Sequence, residues 1–507
     1  MVRDLYERIC AGEDTRANLI QLKKEIKAGD QKRAFAYLLG GDFSRLGALL
    51  DHEDPKVRKN AALILGEMEC EDMLPSLWDA YEREEQLFVK PAYLQAMRKY
   101  DYSAYLPEIK QYLERAATLS MEPENQKHYL DEMAELTRMV LKYEKPSAHT
   151  YLDGTKEREV ILMTNRNHRE ITREQLDEEK HVLLAGGVRL RSKEVKGLMK
   201  IRTFTELLFP LPKLTTVDAQ PQEAAKQLAG WGIAAFIRSM HRENGPFCFR
   251  VEYRGRLAMD KKSDFLRKFT RTLEAMTGRQ LINSTSDYEV ELRLLEKKDG
   301  GYVPLLKLYT LPDERFSYRK NALSSSIAPA NAALVMQLAK PWLKENAQVL
   351  DPFCGVGTML IERNFLKPAN PMYGVDIFRE AIEKGRENAE AAGVLINYIN
   401  RDFLDFRHEY LFDEIVSNLP GVTRTKDMEQ ITRLYEGFFK KVPEVLKENG
   451  ILVLYTPEES ILLYCLKKFS YLERLGRWVI NEREGSVLFV LKLIEIPTCQ
   501  TETNGVI

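Results

Sequence analysis

The feature that most constrains this chain is a strict alternation of strand and helix signals that begins near residue 343. AQVLDPF reads as a strand, GTMLIERNFL as a helix, PMYGVDI as a strand and REAIEKGRENAEAAG as a helix. INYINRDF and FDEIVSNLP follow as strands, then the helix MEQITRLYEGFFKKVPEVLKE, the strand GILVLYT and the helix ESILLYCLKKF. YLERLGRWVINE and GSVLFVLKLIEI close the series as a strand pair. Strands joined through helices run parallel, so this third of the chain predicts a doubly wound α/β sheet. Such sheets bind ligands at the carboxyl ends of their strands.

Upstream the texture differs, and 507 residues are enough for about three domains. Residues 1–145 read as helix after helix. In RLGALLDHEDPKVRKNAALILGEM, Asp54 and Pro55 suit the cap and first turn of a helix. Its apolar positions Val57, Ala61, Leu63, Ile64 and Met68 then recur near helical spacing. Leu74-Pro75-Ser76-Leu77 returns as Leu106-Pro107-Glu108-Ile109, 32 residues on. Recurring helix pairs predict a short α-solenoid, a form that binds a protein partner or braces a neighbouring domain. Lys145-Pro146-Ser147-Ala148 reads as a linker.

Residues 156–310 turn to an α+β pattern. EREVILMT, KHVLLAG and FCFRVEYRGR are strand-like, helices are expected over 222–239 and 261–277, and a hairpin turns at Asp299-Gly300-Gly301.

Charge separates these regions. The chain sums to −1, yet residues 151–320 alone carry +8, which leaves −1 − 8 = −9 for the rest. Arg250, Arg254, Arg256, Lys261, Lys262, Arg267, Lys268 and Arg271 fall within one strand-to-helix unit. Their density suits contacts to the phosphates of a nucleic acid, or else an ordinary solvated helix face. No apolar run approaches the roughly 18 residues that would cross a bilayer, and MVRDLYERIC has acids where a signal peptide has its apolar core. The six cysteines are singletons without CxxC spacing, which argues against zinc or a disulfide scaffold and fits the cytoplasm. No metal is expected.

The sharpest motif is Leu350-Asp351-Pro352-Phe353-Cys354-Gly355-Val356-Gly357-Thr358, which follows a strand and opens a helix. Gly355 and Gly357 allow close backbone approach of a ligand. No GK[ST] follows, so this is not a Walker loop, and Leu360 stands where a dinucleotide fingerprint needs its third glycine. Asp351 suits a ligand with a cationic amine, such as the amino acid part of S-adenosylmethionine. Asp376, 25 residues on, suits ribose hydroxyls, and Asp402 suits an adenine amino group. Acids at three successive strand ends point to a nucleoside site. Cys354 has no apparent histidine partner and reads as a small buried hydrophobe rather than a nucleophile.

DPFCGVGTMLIE, YGVD, RDF and Asn418-Leu419-Pro420-Gly421 together resemble the class I S-adenosylmethionine-dependent methyltransferases that modify exocyclic amines, whose fold is a Rossmann-like seven-stranded sheet. YRKNALSSSIAPANAALVMQLAKP resembles the segment leading into the catalytic domain of THUMP-containing RNA guanine-N2 methyltransferases, which act on tRNA and large-subunit rRNA. FCFRVEYRGRLAMDKKSDFLRKF and the hairpin after it are similar to a THUMP domain, and DPKVRKNAALILGEM with LPSL resembles a HEAT repeat. The resemblance implies HEAT-like repeats over 1–145, a THUMP-like RNA-binding region over 156–310 and a methyltransferase domain over 318–497. It implies that Asp351, Pro352, Phe353, Cys354, Gly355, Gly357, Asp376 and Asp402 hold the cofactor. Asn418 and the Leu419 carbonyl would accept hydrogen bonds from a base amine, with Pro420 beside the base. The family carries an aromatic residue where this chain has Gly421. Tyr318, Phe353 and Tyr455 are the alternatives for a stacking platform. A non-catalytic RNA scaffold that keeps the cofactor pocket, or amine methylation of DNA, are the other readings open.

Overall fold

The structure, a computed structural model, describes residues 2–28, 30–117, 126–143, 148–177 and 180–494. Lys145–Ser147 of the expected linker, the last residues of the expected methyltransferase domain and Cys499 lie outside them. The chain divides into two compact units. One is Met1–Ala148 with Gly245–Cys248 and Thr270–Asn283; the other is His149–Asn244, Phe249–Phe269 and Ser284–Ile507.

Over residues 2–143 the described secondary structure of the first unit is helical. Asp54 caps the helix Pro55–Met68 by accepting the Lys56 N–H, and Pro55 takes the first turn, where its missing N–H costs nothing. The two recurring Leu-Pro pairs each open a helix, Leu74–Arg83 and Leu106–Ala117, directly after a 3-10 turn. Leu65, Leu77, Tyr81, Tyr93 and Leu94 are buried in the core of this array.

The second unit contains most of one sheet and all of another. β1 (Arg158–Thr164), β2 (His181–Leu184), β3 (Gly187–Ser192), β4 (Phe204–Pro210), β5 (Phe247–Arg254), β6 (Leu281–Asn283), β7 (Val290–Glu296) and β8 (Tyr302–Leu308) run in the order β2-β3-β1-β4-β8-β7-β5-β6. The expected hairpin is β7–β8, paired from Val290↔Leu308 to Glu296↔Tyr302. The sequence reading does not anticipate β3 and β4. β3 buries Val188 and Leu190 and turns Arg189 and Arg191 outward, so its alternation is half cationic. The helix expected over 222–239 is two helices, Pro221–Trp231 and Ile233–Arg238. Gly232, at φ 94°, ends one and begins the other in the left-handed region that glycine adopts freely.

The second sheet has seven strands: β9 (Ala347–Asp351), β10 (Ala369–Asp376), β11 (Asn397–Asn400), β12 (Phe412–Asn418), β13 (Leu446–Thr456), β14 (Leu472–Asn481) and β15 (Ser486–Leu493). Their order is β11-β10-β9-β12-β13-β15-β14. The first five are parallel neighbours, and β15 runs antiparallel between β13 and β14. The order reverses between β9 and β12, which opens a crevice at their carboxyl ends. Arg363, on the helix Thr358–Leu366, is fully buried and makes two hydrogen bonds of 2.7 and 2.9 Å to the buried Glu414 of β12. That pair ties the helix behind the glycine loop to the strand that ends in Asn418.

Two carbonyls near the end of the edge strand β14 are taken. Asn165 Nδ2 donates to the Ile480 carbonyl and His168 Nε2 bonds the Val479 carbonyl, both at 2.8 Å, which blunts an edge otherwise open to pairing.

Candidate active site

The crevice is floored by the loop after β9. Gly355 and Gly357 have φ of 51° and 82°, so the loop folds back on itself to start the helix Thr358–Leu366. The two glycines differ in their surroundings. Space beside the Gly355 Cα is open, as a ligand's close approach requires. A Cβ on Gly357 would lie 2.0 Å from the Tyr398 hydroxyl, so that glycine makes room for a side chain of β11. The hydroxyls of Tyr398 and Thr358 are buried beside the loop and have no hydrogen-bond partner among the described residues.

Asp351 is 1% exposed. Its Oδ1 accepts hydrogen bonds from Ser417 Oγ at 2.6 Å and from the Phe353 N–H at 3.1 Å. Burial pushes its carboxyl up to about 7, and the charge of Asp376 acts in the same direction. Asp376 accepts the Gly355 N–H on one oxygen and the Phe378 N–H on the other, each at 2.9 Å. Asp402 caps the 3-10 turn Phe403–Asp405 by accepting the Leu404 N–H. The three acids therefore stand at the ends of β9 and β10 and just beyond β11, in the expected order. Pro352 is buried, and Phe353 is half-buried between Phe403 and Phe438. Cys354 is buried, its N–H donating to the Val375 carbonyl, and burial raises its thiol well above the ordinary range. A thiol held protonated is a poor nucleophile.

On the other side of β9 the chain runs from Ser417 to Gly421. Asn418 Nδ2 donates to the Ser325 carbonyl at 3.1 Å. A carbonyl can only accept, so this contact turns the amide nitrogen toward Ser325 and leaves Oδ1 as the acceptor on the other side. Leu419 is buried, with its N–H on the Tyr455 carbonyl at 2.9 Å. Tyr435 donates to the Pro420 carbonyl at 3.0 Å and shares a second hydrogen bond with Thr456 Oγ1 at 2.7 Å. A Cβ on Gly421 would lie 2.7 Å from Pro457 Cγ and 3.2 Å from Glu458 Oε1. Glu458 also accepts the Val422 N–H at 2.8 Å. Pro457 and Glu458 thus hold the place a side chain at 421 would need. Tyr318 is buried with its hydroxyl on Glu362, and Tyr455 is buried in the sheet. Neither offers a face to a base, and Phe353 is wedged among other rings.

The cations of the middle region are largely paired. Arg254 meets Glu252, and Arg267 and Lys268 share Asp264 at 2.5 and 2.6 Å. Arg271 pairs with Asp131. Exposed pairs of this kind are worth only about 0–1 kcal/mol, so a phosphate could displace them. Arg250 is different: it bonds the buried Glu291 and lies 4.2 Å from the Tyr288 ring. Lys261 and Lys268 line a cleft of about 370 Å³ with Gln220, Asp260 and Tyr302. Lys262 lies 5.9 Å from the Tyr253 ring, and the Arg256 N–H donates to Glu296.

Residues 317–481 match the RMKL-like methyltransferase domain family, UPF0020. The C-terminal domain is a class I S-adenosylmethionine-dependent methyltransferase. The tRNA (guanine(10)-N2)-dimethyltransferase of Methanothermobacter thermautotrophicus is 30% identical over 173 residues, which is 34% of this chain and 49% of that protein. The protein of the same description from Methanocaldococcus jannaschii is 30% identical over 150 residues, 28% of this chain and 40% of its own. The chain thus spans about half, or less, of the length of these curated relatives. The crystal structure of TrmN from Thermus thermophilus superposes with a TM-score of 0.50 at 20% identity, covering 67% of this chain and all of that one. That fold likeness takes in more of the chain than the methyltransferase domain holds. Within the methyltransferase domain the open side of Gly355, the unpartnered Thr358 hydroxyl and the acids at strand ends fit S-adenosylmethionine. Ser325, Ser417, Pro457 and Glu458 are the site residues that sequence reasoning missed, and only Ser417, next to the motif, carries a local signal. No described helix is long and apolar enough to cross a membrane, and no metal-binding group occurs among the described residues.

Proposed function

We propose that this protein methylates an exocyclic base amine of tRNA or rRNA, with guanine N2 as the acceptor. The observation that carries the reading is the buried 2.6 Å hydrogen bond from Ser417 to Asp351. It holds the residue before Asn418 against the start of the cofactor loop, so an amine acceptor and a methyl donor would meet in one crevice. S-adenosylmethionine, when bound, supplies an electrophilic methyl on its sulfonium. A guanine amine is a weak nucleophile because its lone pair is delocalised into the ring. Asn418 Oδ1 and the Leu419 carbonyl would accept its two N–H bonds and aim the lone pair, so the protein's contribution is chiefly positioning. The methyl would pass to that nitrogen, with the electron pair of its old bond left on sulfur. One amine proton leaves to water, and no bond to the enzyme forms.

The identity to tRNA guanine-N2 dimethyltransferases supports RNA as the substrate, and the fold likeness to TrmN supports a shared build upstream of the methyltransferase domain. In this reading residues 156–310 are a THUMP-like region whose Arg254, Arg256, Lys261, Lys262, Arg267 and Lys268 meet phosphates, while Arg250 braces its sheet. Residues 1–145 are HEAT-like repeats that dock a partner protein, and the protein works in the cytoplasm. Asn418→Ala is expected to lower methyl transfer by about 10²–10³-fold while leaving cofactor affinity unchanged. Equal loss of both would remove the acceptor role. The blocked space at Gly421 favours one other reading, an RNA-binding scaffold that keeps its cofactor pocket. Cofactor binding without transfer to any RNA would select it.

A further inference from the structure

We propose that the helical unit grips the RNA backbone through lysines that cross the packed helices Thr15–Lys27 and Pro55–Met68. This rests on RNA as the substrate, as read above. Residues 1–150 sum to −5, yet these two helices hold seven cations against two acids, a net of +5. The remainder of those residues is therefore at −10, so charge in this unit is sorted rather than mixed. The two helices lie side by side and run the same way: Lys23 Nζ donates to Asn60 Oδ1 at 2.5 Å, and Lys27 meets Glu67 at 3.6 Å. Lys23 and Lys27 stand one turn apart on the first helix, and Lys56 and Lys59 one turn apart on the second.

A solvated helix face usually sets its cations beside acids. Arg58 follows that rule with the buried Glu84 at 2.7 Å, and Lys32 follows it with Glu69 at 2.8 Å. Lys23 and Lys59 do not. Lys23 is half-buried against the neutral Asn60 amide. Lys59 Nζ donates to the Phe88 carbonyl at 3.5 Å and lies 5.8 Å from the centre of that ring. Among the described residues Lys23, Lys56 and Lys59 form no ion pair. Burial lowers the pKa of the Lys23 ammonium, and the charges of Lys27 and Lys59 act in the same direction, so the three are close enough to repel. Like charges gathered in this way weaken the free protein, and an anion laid across them removes the repulsion. A row of unpaired ammonium groups complements a row of phosphates, and RNA is the polyanion that the proposed reaction brings.

The test titrates the full-length protein against unmodified tRNA and unmodified rRNA over a range of salt concentrations. It compares the wild type with Lys23→Gln/Lys59→Gln and Lys23→Arg/Lys59→Arg. The glutamine pair is expected to weaken binding by about tenfold at about 0.1 M salt. It should also flatten the slope of log affinity against log salt by about 1.4–1.8, since each phosphate contact contributes about 0.7–0.9. The arginine pair keeps both charges and should bind as the wild type does. Affinity for S-adenosylmethionine should be the same in all three. Glutamine keeps a donor for Asn60, and the melting temperature checks that the fold is intact. Should the pair unfold, Lys59→Gln alone carries the test, with a slope change of about 0.7–0.9. An unchanged slope overturns the proposal. Poly-glutamate that competes as well as RNA also overturns it and gives this face to an acidic partner protein. A wild type that binds RNA with the lysine-dependent slope but transfers no methyl defeats the base-amine reading alone. Methyl transfer to RNA with an unchanged slope in the variant defeats this proposal alone, and a wild type that binds no RNA overturns both.

Discussion

On the cofactor side of the crevice each acid accepts one local N–H, and Asp351 and Asp376 also accept from Ser417 and Gly355, 66 and 21 residues away. Asp351 takes the Phe353 N–H, Asp376 the Phe378 N–H and Asp402 the Leu404 N–H, each two residues on. On the acceptor side the contacts come from far along the chain. Asn418 is oriented by Ser325, 93 residues away, and Val422 is held by Glu458, 36 residues away. A loop built from its own neighbours can be carried from protein to protein as a motif. A pocket built from distant segments depends on each of them, and here Pro457 fills the space a side chain at position 421 would need. The glycine loop and its acids form a local pattern; the surroundings of Asn418 depend on the rest of the chain.

The comparison breaks most visibly if the halves are uncoupled. Glu414→Ala would leave the Arg363 guanidinium buried without its partner, and a loss of about 3–5 kcal/mol in stability is expected. Denaturant unfolding measures it; a loss under about 1 kcal/mol would mean the halves are joined elsewhere. Gly421→Tyr tests whether the acceptor half has room. Overpacking against Pro457 should cost about 1–3 kcal/mol and give no gain in methyl transfer, with Pro457→Gly in the same chain recovering much of the loss. A stable single variant with faster turnover would contradict the steric reading.

Asp351 sharpens the cofactor half. Its folded pKa of about 7 stands above the unfolded value, so the folded state holds the extra proton between about pH 4 and 7. This group's contribution to stability is then fully present below pH 4, falls as pH rises to 7 and is flat beyond. If the ionised carboxylate faces the cofactor's amine, cofactor affinity should rise about tenfold from pH 6 to pH 8. Calorimetry on wild type and Asp351→Asn checks this, and the variant should lose the pH dependence. The smallest effect belongs to Tyr398→Phe, which deletes a buried hydroxyl without a partner and should change stability by less than about 0.5 kcal/mol or raise it slightly. A clear loss would reveal a partner for that hydroxyl.

The C-terminal sheet was legible because alternation and glycine loops are local signals, and Asp351, Asp376 and Asp402 stand where the strand ends put them. The break at Gly232 was not read, since one glycine inside a helical pattern is usually tolerated. β3 was hidden by the arginines on its outer face. The acceptor pocket was only half legible. Asn418-Leu419-Pro420 announces itself, but the residue that fixes the Asn418 amide and the one that closes position 421 meet it only through the fold. In the middle region the sum of charges does not show that Arg250, Arg254, Arg267 and Lys268 lie close to carboxylates, because that pairing is made by the fold.

The most direct test mixes the protein with radiolabelled S-adenosylmethionine and separate pools of unmodified tRNA and rRNA, then identifies the labelled nucleoside by chromatography. Label in N2-methylguanosine from one pool, absent with Asn418→Ala, is the expected result. Cofactor binding with no label in either pool would contradict it.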